Sequence, residues 1–286
     1  AGGGRLGHAN TGGSRFNGIK ATMLADGAAG DGSTNDKATI DTHNVAGTQV
    51  DLGGRDYAYT GDFVPVANFS NGRIISSTLG TFDYRVGEII NPRTITVGAG
   101  QTMTTAKPAL DWLQSGITIF DTLTLSIAGD HDLIDYIFDH PDSAKVRLIG
   151  TALSGAMPTK ADMVGTRATD EATIKGRFTA SINLGGSGDA TDGGLKIPNG
   201  LSGIENICIL SNTRYSLDIG YSEAHSNSRS ARKIRLTNSA IVGGVCGLIA
   251  VGSQVRIPSL SPVFFAYQNT GPPPGVPFHF NNVCVR

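Results

Sequence analysis

The chain has 286 residues, of which 39 are glycine, with 39% apolar and 16% charged residues and a formal net charge of -1. That length supports one large or two smaller domains with a substantial core, and the apolar content excludes a disordered or low-complexity chain. The near-neutral charge argues against nucleic acid as a partner, and no apolar run is long enough to insert into a membrane.

Glycine at about twice its usual share, with few charged residues, points to many turns and few helices, and so to an all-β architecture of short strands. Residues 1–29 form a glycine-rich N-terminal arm without sustained periodicity, with a short strand expected near Ile19 to Leu24. They lack the charged and apolar regions of a signal peptide.

The next stretch, "GDGSTNDKATI" (residues 30–40), is dense in side-chain oxygens. Counted from Asp31, an EF-hand loop would place Gly and Glu where Asp36 and Thr42 stand, and no Gly-Lys-Ser/Thr is present for a phosphate loop. The remaining reading is a helix start over "TNDKATIDTHNVA", capped by Ser33 or Thr34, with Asn35 and Asp36 in its first turn. Period-two alternation at Val50, Leu52, Tyr57 and Tyr59 then predicts strands, and "GRIISSTLG" predicts another.

A second helix is expected in "TTAKPALDWLQSG", from the spacing of Ala106, Leu110 and Leu113, Pro108 in its first turn and Gly116 after its end. Trp112 reads as core. Leu123, Leu125 and Ile127 alternate as a strand. In "HDLIDYIFDH", His131, Asp132, Asp135, Asp139 and His140 could bind a cation, but at helical spacing they read more simply as one polar face beside Leu133, Ile134, Ile137 and Phe138. From about residue 145 onward the chain reads as short strands and turns, from "KVRLIG" to "FHFNNVCVR", with Asn199-Gly200 marking a turn.

Cys208, Cys246 and Cys284 sit among apolar or small neighbours and read as buried free thiols. They also lie 38 residues apart in "IENICIL", "VGGVCGL" and "FNNVCVR", a spacing in the range of stacked repeats. A competing register places Asn206, Asn238 and Asn282 at equivalent turns of unequal length.

Gly30, Asp31, Gly32, Thr34 and Asp36, followed by a short helix and "TQVDLGGRDYAY", resemble the opening of pectate-lyase-like right-handed parallel β-helices. The likeness is strongest to tailspikes and tail fibres of tailed bacteriophages, and residues 140–155 are similar to a segment of such proteins. The resemblance implies an all-β, right-handed single-stranded parallel β-helix, a solenoid with short capping helices. Residues 30–93 would hold the cap helix and first strands, with Ile40 and Val45 facing the core. Residues 94–286 would form the solenoid and continue beyond the chain end. It further implies a homotrimer in a virion, folded in the host cytoplasm, docked to tail or adaptor proteins through the N-terminal region and bound to bacterial surface polysaccharide.

Phage solenoids of this kind bind or cleave host glycans, so paired acids are of interest. Asp189 and Asp192 are the candidates for a glycoside hydrolase, followed by Glu205, Asp218 and Glu223. Tyr221 and His225 are the candidates for a lyase, and Tyr215, Arg229 and Arg232 for glycan binding. No cofactor and no metal site are expected, because the histidines are scattered. The functional expectation is thus a phage tail shaft that recognises host glycans. A polysaccharide depolymerase is the alternative, followed by a secreted bacterial enzyme or adhesin.

Overall fold

A computed structural model describes residues 23–163, 167–185, 194–211, 215–219, 232–243, 246–250, 253–257, 262–266 and 283–285. The chain divides into two compact units. One comprises Ala1–Ile89, Gly100–Thr104 and Pro108–Thr118, and the other Ile90–Ala99, Thr105–Lys107 and Ile119–Arg286. No helix among the described residues is long and apolar enough to cross a membrane.

In the first unit β1 (Asp31–Asn35), β2 (Gln49–Tyr59), β3 (Asn68–Ser76) and β4 (Gly80–Asp83) lie side by side in that order. The first two pairings are parallel and the third is antiparallel. Alternation sorts the two faces: Tyr57, Ile74 and Phe82 form a buried cross-strand row, and Asp56, Arg73 and Asp83 form the partly exposed row beside it. Phe63 anchors the buried side by edge-on contact with Tyr59, Phe69 and Phe82, with ring centroids 4.9 to 5.6 Å apart. The Gly53-Gly54 pair has positive φ and lets β2 bulge between Asp51 and Arg55. Asp51 holds the bulge by accepting hydrogen bonds from Gly53 N–H (2.7 Å) and Asn71 Nδ2 (3.0 Å).

The expected Ser33 or Thr34 cap is not formed. Residues Asp31–Asn35 are a strand paired to β2, and α1 begins later, spanning Lys37–His43. The reason is local competition. Asp31 accepts hydrogen bonds from both N–H groups and both hydroxyls of Ser33 and Thr34, at 2.7 to 3.1 Å, which turns the chain and occupies the oxygens a cap would use. Buried Asp36 points backwards instead, accepting from Ala29 and Gly30 N–H at 2.6 and 3.1 Å. Ile40 is fully buried as expected, whereas Val45 is 54% exposed, because α1 ends at His43 before it. Lys37 Nζ, Asp41 and the Tyr59 hydroxyl join in a hydrogen-bonded triangle that ties α1 to β2. In the expected strand near Ile19 to Leu24, the described residues Met23 and Leu24 are helical.

Two short strands follow, β5 (Glu88–Ile89) and β6 (Arg93–Val97), then α2 (Ala106–Gln114). In α2, Ala106, Ala109, Leu110, Trp112 and Leu113 are buried, as the spacing predicts. Next come β7 (Thr118–Ile119), β8 (Leu123–Ile127), β9 (Gly129–Asp132), β10 (Tyr136–Ile137) and β11 (Val146–Gly150). A third helix, α3 (Arg167–Lys175), interrupts the strands before β12 (Ala180–Asn183), β13 (Leu195–Ile197), β14 (Gly203–Glu205) and β15 (Cys208–Ser211). The chain continues through β16 (Tyr215–Ile219), β17 (Arg232–Thr237), β18 (Ser239–Gly243) and β19 (Cys246–Ala250). It reaches β20 (Ser253–Arg256), β21 (Val263–Ala266) and β22 (Val283–Val285).

Strands β5 and β7 pair with each other, and in the second unit β6 and β8 to β22 are shared among three parallel sheets, ordered β20-β17-β14-β11-β8-β6, β21-β18-β15-β12-β9 and β10-β13-β16-β19-β22. The architecture corrects the expected all-β right-handed solenoid. Among the described residues the chain is mixed α/β, with several separate parallel and mixed sheets and no closed or solenoid sheet, and a right-handed β-helix is not shown. Helix α2 buries five apolar residues and α1 and α3 one each, Ile40 and Ile174, and the antiparallel β3/β4 pairing has no place in an all-parallel coil.

The cysteine register is corrected as well. Cys208 pairs with Ala240, Cys246 with Tyr215 and Cys284 with Ile249, so Cys208 stands in a different sheet from the other two. Asn206 and Asn238 do occupy equivalent turns. Both adopt positive φ, and Asn206 N–H donates to Thr237 C=O at 3.1 Å. Asn282 lies outside the described residues.

Candidate functional site

Strands β9, β12, β15 and β18 pair in register, which lines up two rows of side chains on one face of their sheet. One row runs Asp130, Ser181, Cys208, Ala240, and the other Asp132, Asn183, Leu210, Val242. Each row passes from polar to apolar. Helix α3 covers the apolar end, where Ile174 packs with Met163, Phe178, Cys208, Ala240 and Val242. The polar end stays open as a cleft of about 390 Å³. Its floor is Asp130, Asp132, Ser181, Asn183, Leu210 and Ser211, and its wall is Glu171 and Lys175 of α3.

Local sequence explains the helix that makes the wall. Asp170 lies in its first turn and Lys175 in its last, each matched to the helix dipole, and Gly176 follows the end. Backbone bonds from Gly176, Arg177 and Phe178 back to Ala172, Ile174 and Lys175 close the turn and lead the chain into β12. The Arg177 guanidinium meets Asp162 at 3.0 Å.

Two hydrogen-bonded units face the cleft. Lys175 Nζ sits 2.6 Å from Asp130, whose other carboxylate oxygen accepts from the Ser181 hydroxyl at 2.7 Å. Together the ammonium and the hydroxyl hold the Asp130 carboxyl below the usual carboxylate range. The second unit is Asn183, whose Nδ2 donates to Asp132 at 2.9 Å while its Oδ1 accepts from Gly185 N–H at 3.0 Å. With both ends of its amide engaged, Asn183 has a fixed orientation.

Between the two aspartates, His131 points the opposite way and is buried. Its Nδ1 accepts the Ala106 N–H at 3.3 Å and its Nε2 donates to Ala128 C=O at 3.1 Å, a pattern that needs the neutral ring. Burial pushes its pKa below the ordinary histidine value. The expected polar helical face around His131 to His140 is therefore corrected: the segment is β9, a turn with Asp135 at positive φ, and β10. Among the described residues, no three His, Cys, Asp or Glu side chains are grouped to hold a metal ion.

Of the residues singled out from sequence, Asp189, Asp192, Tyr221, His225 and Arg229 lie outside the described residues. Tyr215 is on β16, paired with Cys246, and Arg232 is on β17, paired with Ser253. Both strands belong to other sheets than the cleft floor. Glu205 is engaged by Arg147 at 2.6 Å. The cleft residues Asp130, Glu171, Lys175, Ser181 and Asn183 were not singled out by sequence. For Asp130, Ser181 and Asn183 the signal was the alternation in "GDHD" and "ASIN", which puts polar side chains on one face of each strand. No known protein family, curated protein or solved structure matches the chain.

Proposed function

We propose that the chain recognises a bacterial surface glycan as part of a phage tail fibre or tailspike. The observation that carries the glycan reading is the cleft, where carboxylate, hydroxyl and amide groups on strand rows and the Lys175 ammonium on α3 are presented in hydrogen-bonded pairs. Sugars offer closely spaced hydroxyls that both donate and accept, so a floor of pre-oriented acceptors and donors matches their chemistry. The phage context rests on the likeness of residues 30–36 and 140–155 to tail proteins.

The test is binding of the protein to an array of bacterial surface polysaccharides, with Asn183→Ala and Asp132→Ala as cleft variants. Each is expected to weaken binding about tenfold, the loss of roughly one hydrogen bond to a charged or fixed group, with no loss of fold by circular dichroism. Wild-type affinity in both variants would remove the cleft from the reading.

A second reading, hydrolysis, is favoured by carboxylates from two elements, Asp132 on the strand floor and Glu171 on α3. Release of new reducing ends from a bound polysaccharide, abolished by Glu171→Gln, would support it. Running Asp189→Ala with Asp192→Ala and His225→Ala in parallel tests the residues expected from sequence.

A further inference from the structure

Resting on the glycan reading of the cleft, we propose that Leu210 makes it select sugars bearing a methyl group over their fully hydroxylated counterparts. The methyl is carried either as a 6-deoxy carbon or in an acetyl substituent. Both rows of the floor pass from polar to apolar, but only one does so within reach of a ligand. In the first row the change falls at Cys208, which is fully buried and packed with Ile174 of α3. In the second it falls at Leu210, which is half-buried and still lines the cleft. Leu210 pairs directly with Asn183, and Asn183 with Asp132. Neighbours in this row therefore stand about 4.8 Å apart, a step that one pyranose ring with its substituents spans. Leu210 also packs against the cluster of Ile174, Phe178, Cys208 and Val242, which restrains its side chain. A sugar whose hydroxyls bond to Asp132 and Asn183 thus lays its next substituent on Leu210. A methyl group there buries apolar surface, which raises affinity about fourfold per carbon buried. A hydroxyl-bearing group in its place gives up water against a side chain that offers no hydrogen bond. The polar contacts serve both ligand classes, so this one apolar contact is the means of discrimination.

The experiment measures binding of printed oligosaccharides in two arms, each set against the parent hexose oligosaccharide. One arm carries the matching 6-deoxyhexose and the other the matching N-acetylhexosamine. Wild-type protein is expected to bind the methyl-bearing member at least about fourfold more tightly in one arm, and that arm names the source of the methyl. Leu210→Asn, which extends the polar row by one position, should abolish the preference while still binding the parent hexose. Leu210→Ala, which shortens the side chain without adding a polar group to the core edge, should narrow it. Equal or tighter binding of the parent hexose in both arms by wild-type protein overturns the selectivity and leaves the glycan reading standing. A preference unchanged in either variant, with that variant folded by circular dichroism, overturns its assignment to Leu210. Silence of folded wild-type protein across every oligosaccharide overturns the glycan reading and the selectivity with it.

Discussion

Lys175, the last residue of α3, and Asp130, near the start of β9, meet at 2.6 Å although far apart in sequence, and both line the cleft. The pair is open to solvent, with side-chain exposures of 37% and 67%, so it governs the cleft's charge more than the fold's stability. Lys175→Met is expected to cost at most about 0.5 kcal/mol in denaturant unfolding. The same change should move the Asp130 carboxyl back towards its ordinary value near 3.8, read by carboxyl NMR titration. Because the folded-state pKa is lowered, the pair's small stabilisation is present above that ordinary value and is lost as pH falls through the folded one. An Asp130 titration unchanged by Lys175→Met would show that Ser181 alone holds the group.

Gly72 is the residue on which the β2/β3 register turns. A Cβ there would lie 2.3 Å from Leu52 Cβ and 2.7 Å from Arg55 C=O, with no flexible side-chain end to yield. Gly72→Ala is therefore expected to destabilise the first unit by about 2 kcal/mol or more, as overpacking against backbone does. Gly54, in the same bulge, has open space around it and only positive φ to lose, so Gly54→Ala should cost about 1 kcal/mol. Equal effects in paired melts would mean that the bulge relaxes around the new methyl group.

Strand positions were legible where one face is buried. Leu123, Leu125 and Ile127 announce β8 through alternation, and each is fully buried. Pairing was not legible, because parallel partners come from distant segments and leave no local turn signal. Leu148 pairs with Ile204 across a stretch that contains α3, and the equal spacing of the cysteines pointed to partners the backbone does not use. Helix α3 escaped notice because it buries little. Asp170 and Ile174 are its buried residues among those whose side chains are described, too few to make an apolar stripe. With α3 hidden, the cleft was hidden too, since the helix supplies a wall that the strand pattern alone does not show.

Asp36 carries the turn before α1, and its replacement separates structure from capping. Asp36→Ala removes the acceptor from two N–H groups, those of Ala29 and Gly30, at a site that is 4% exposed. Leaving one buried donor, Gly30 N–H, and one half-buried donor, Ala29 N–H, unpaired should cost about 1–3 kcal/mol, and Asp36→Asn, which keeps one acceptor oxygen, should cost less. The exposed Asp31 should matter less than Asp36 in the same denaturant series, although it accepts more hydrogen bonds. A larger loss at Asp31 than at Asp36 would show that the Ser33-Thr34 turn, and not the buried carboxylate, holds this segment.

His131 gives the second unit an acid limit. Its ring accepts from Ala106 and donates to Ala128, so a second proton would break the first bond and place a charge in a buried site. Burial lowers its folded-state pKa below the ordinary value near 6.5, although Asp130 and Asp132 on either side oppose the shift. The unfolded chain therefore binds the proton first. His131 contributes its full stability above about pH 6.5, and that contribution falls as pH drops through the folded-state value. Urea unfolding at a series of pH values between about 7.5 and 5 should show this decline, beginning well above the range where carboxylates titrate. His131→Gln keeps a donor and an acceptor without the titration. It is expected to be less stable at neutral pH but to lose the decline between about pH 6.5 and 5. A wild-type decline that persists unchanged in His131→Gln would assign it to another group.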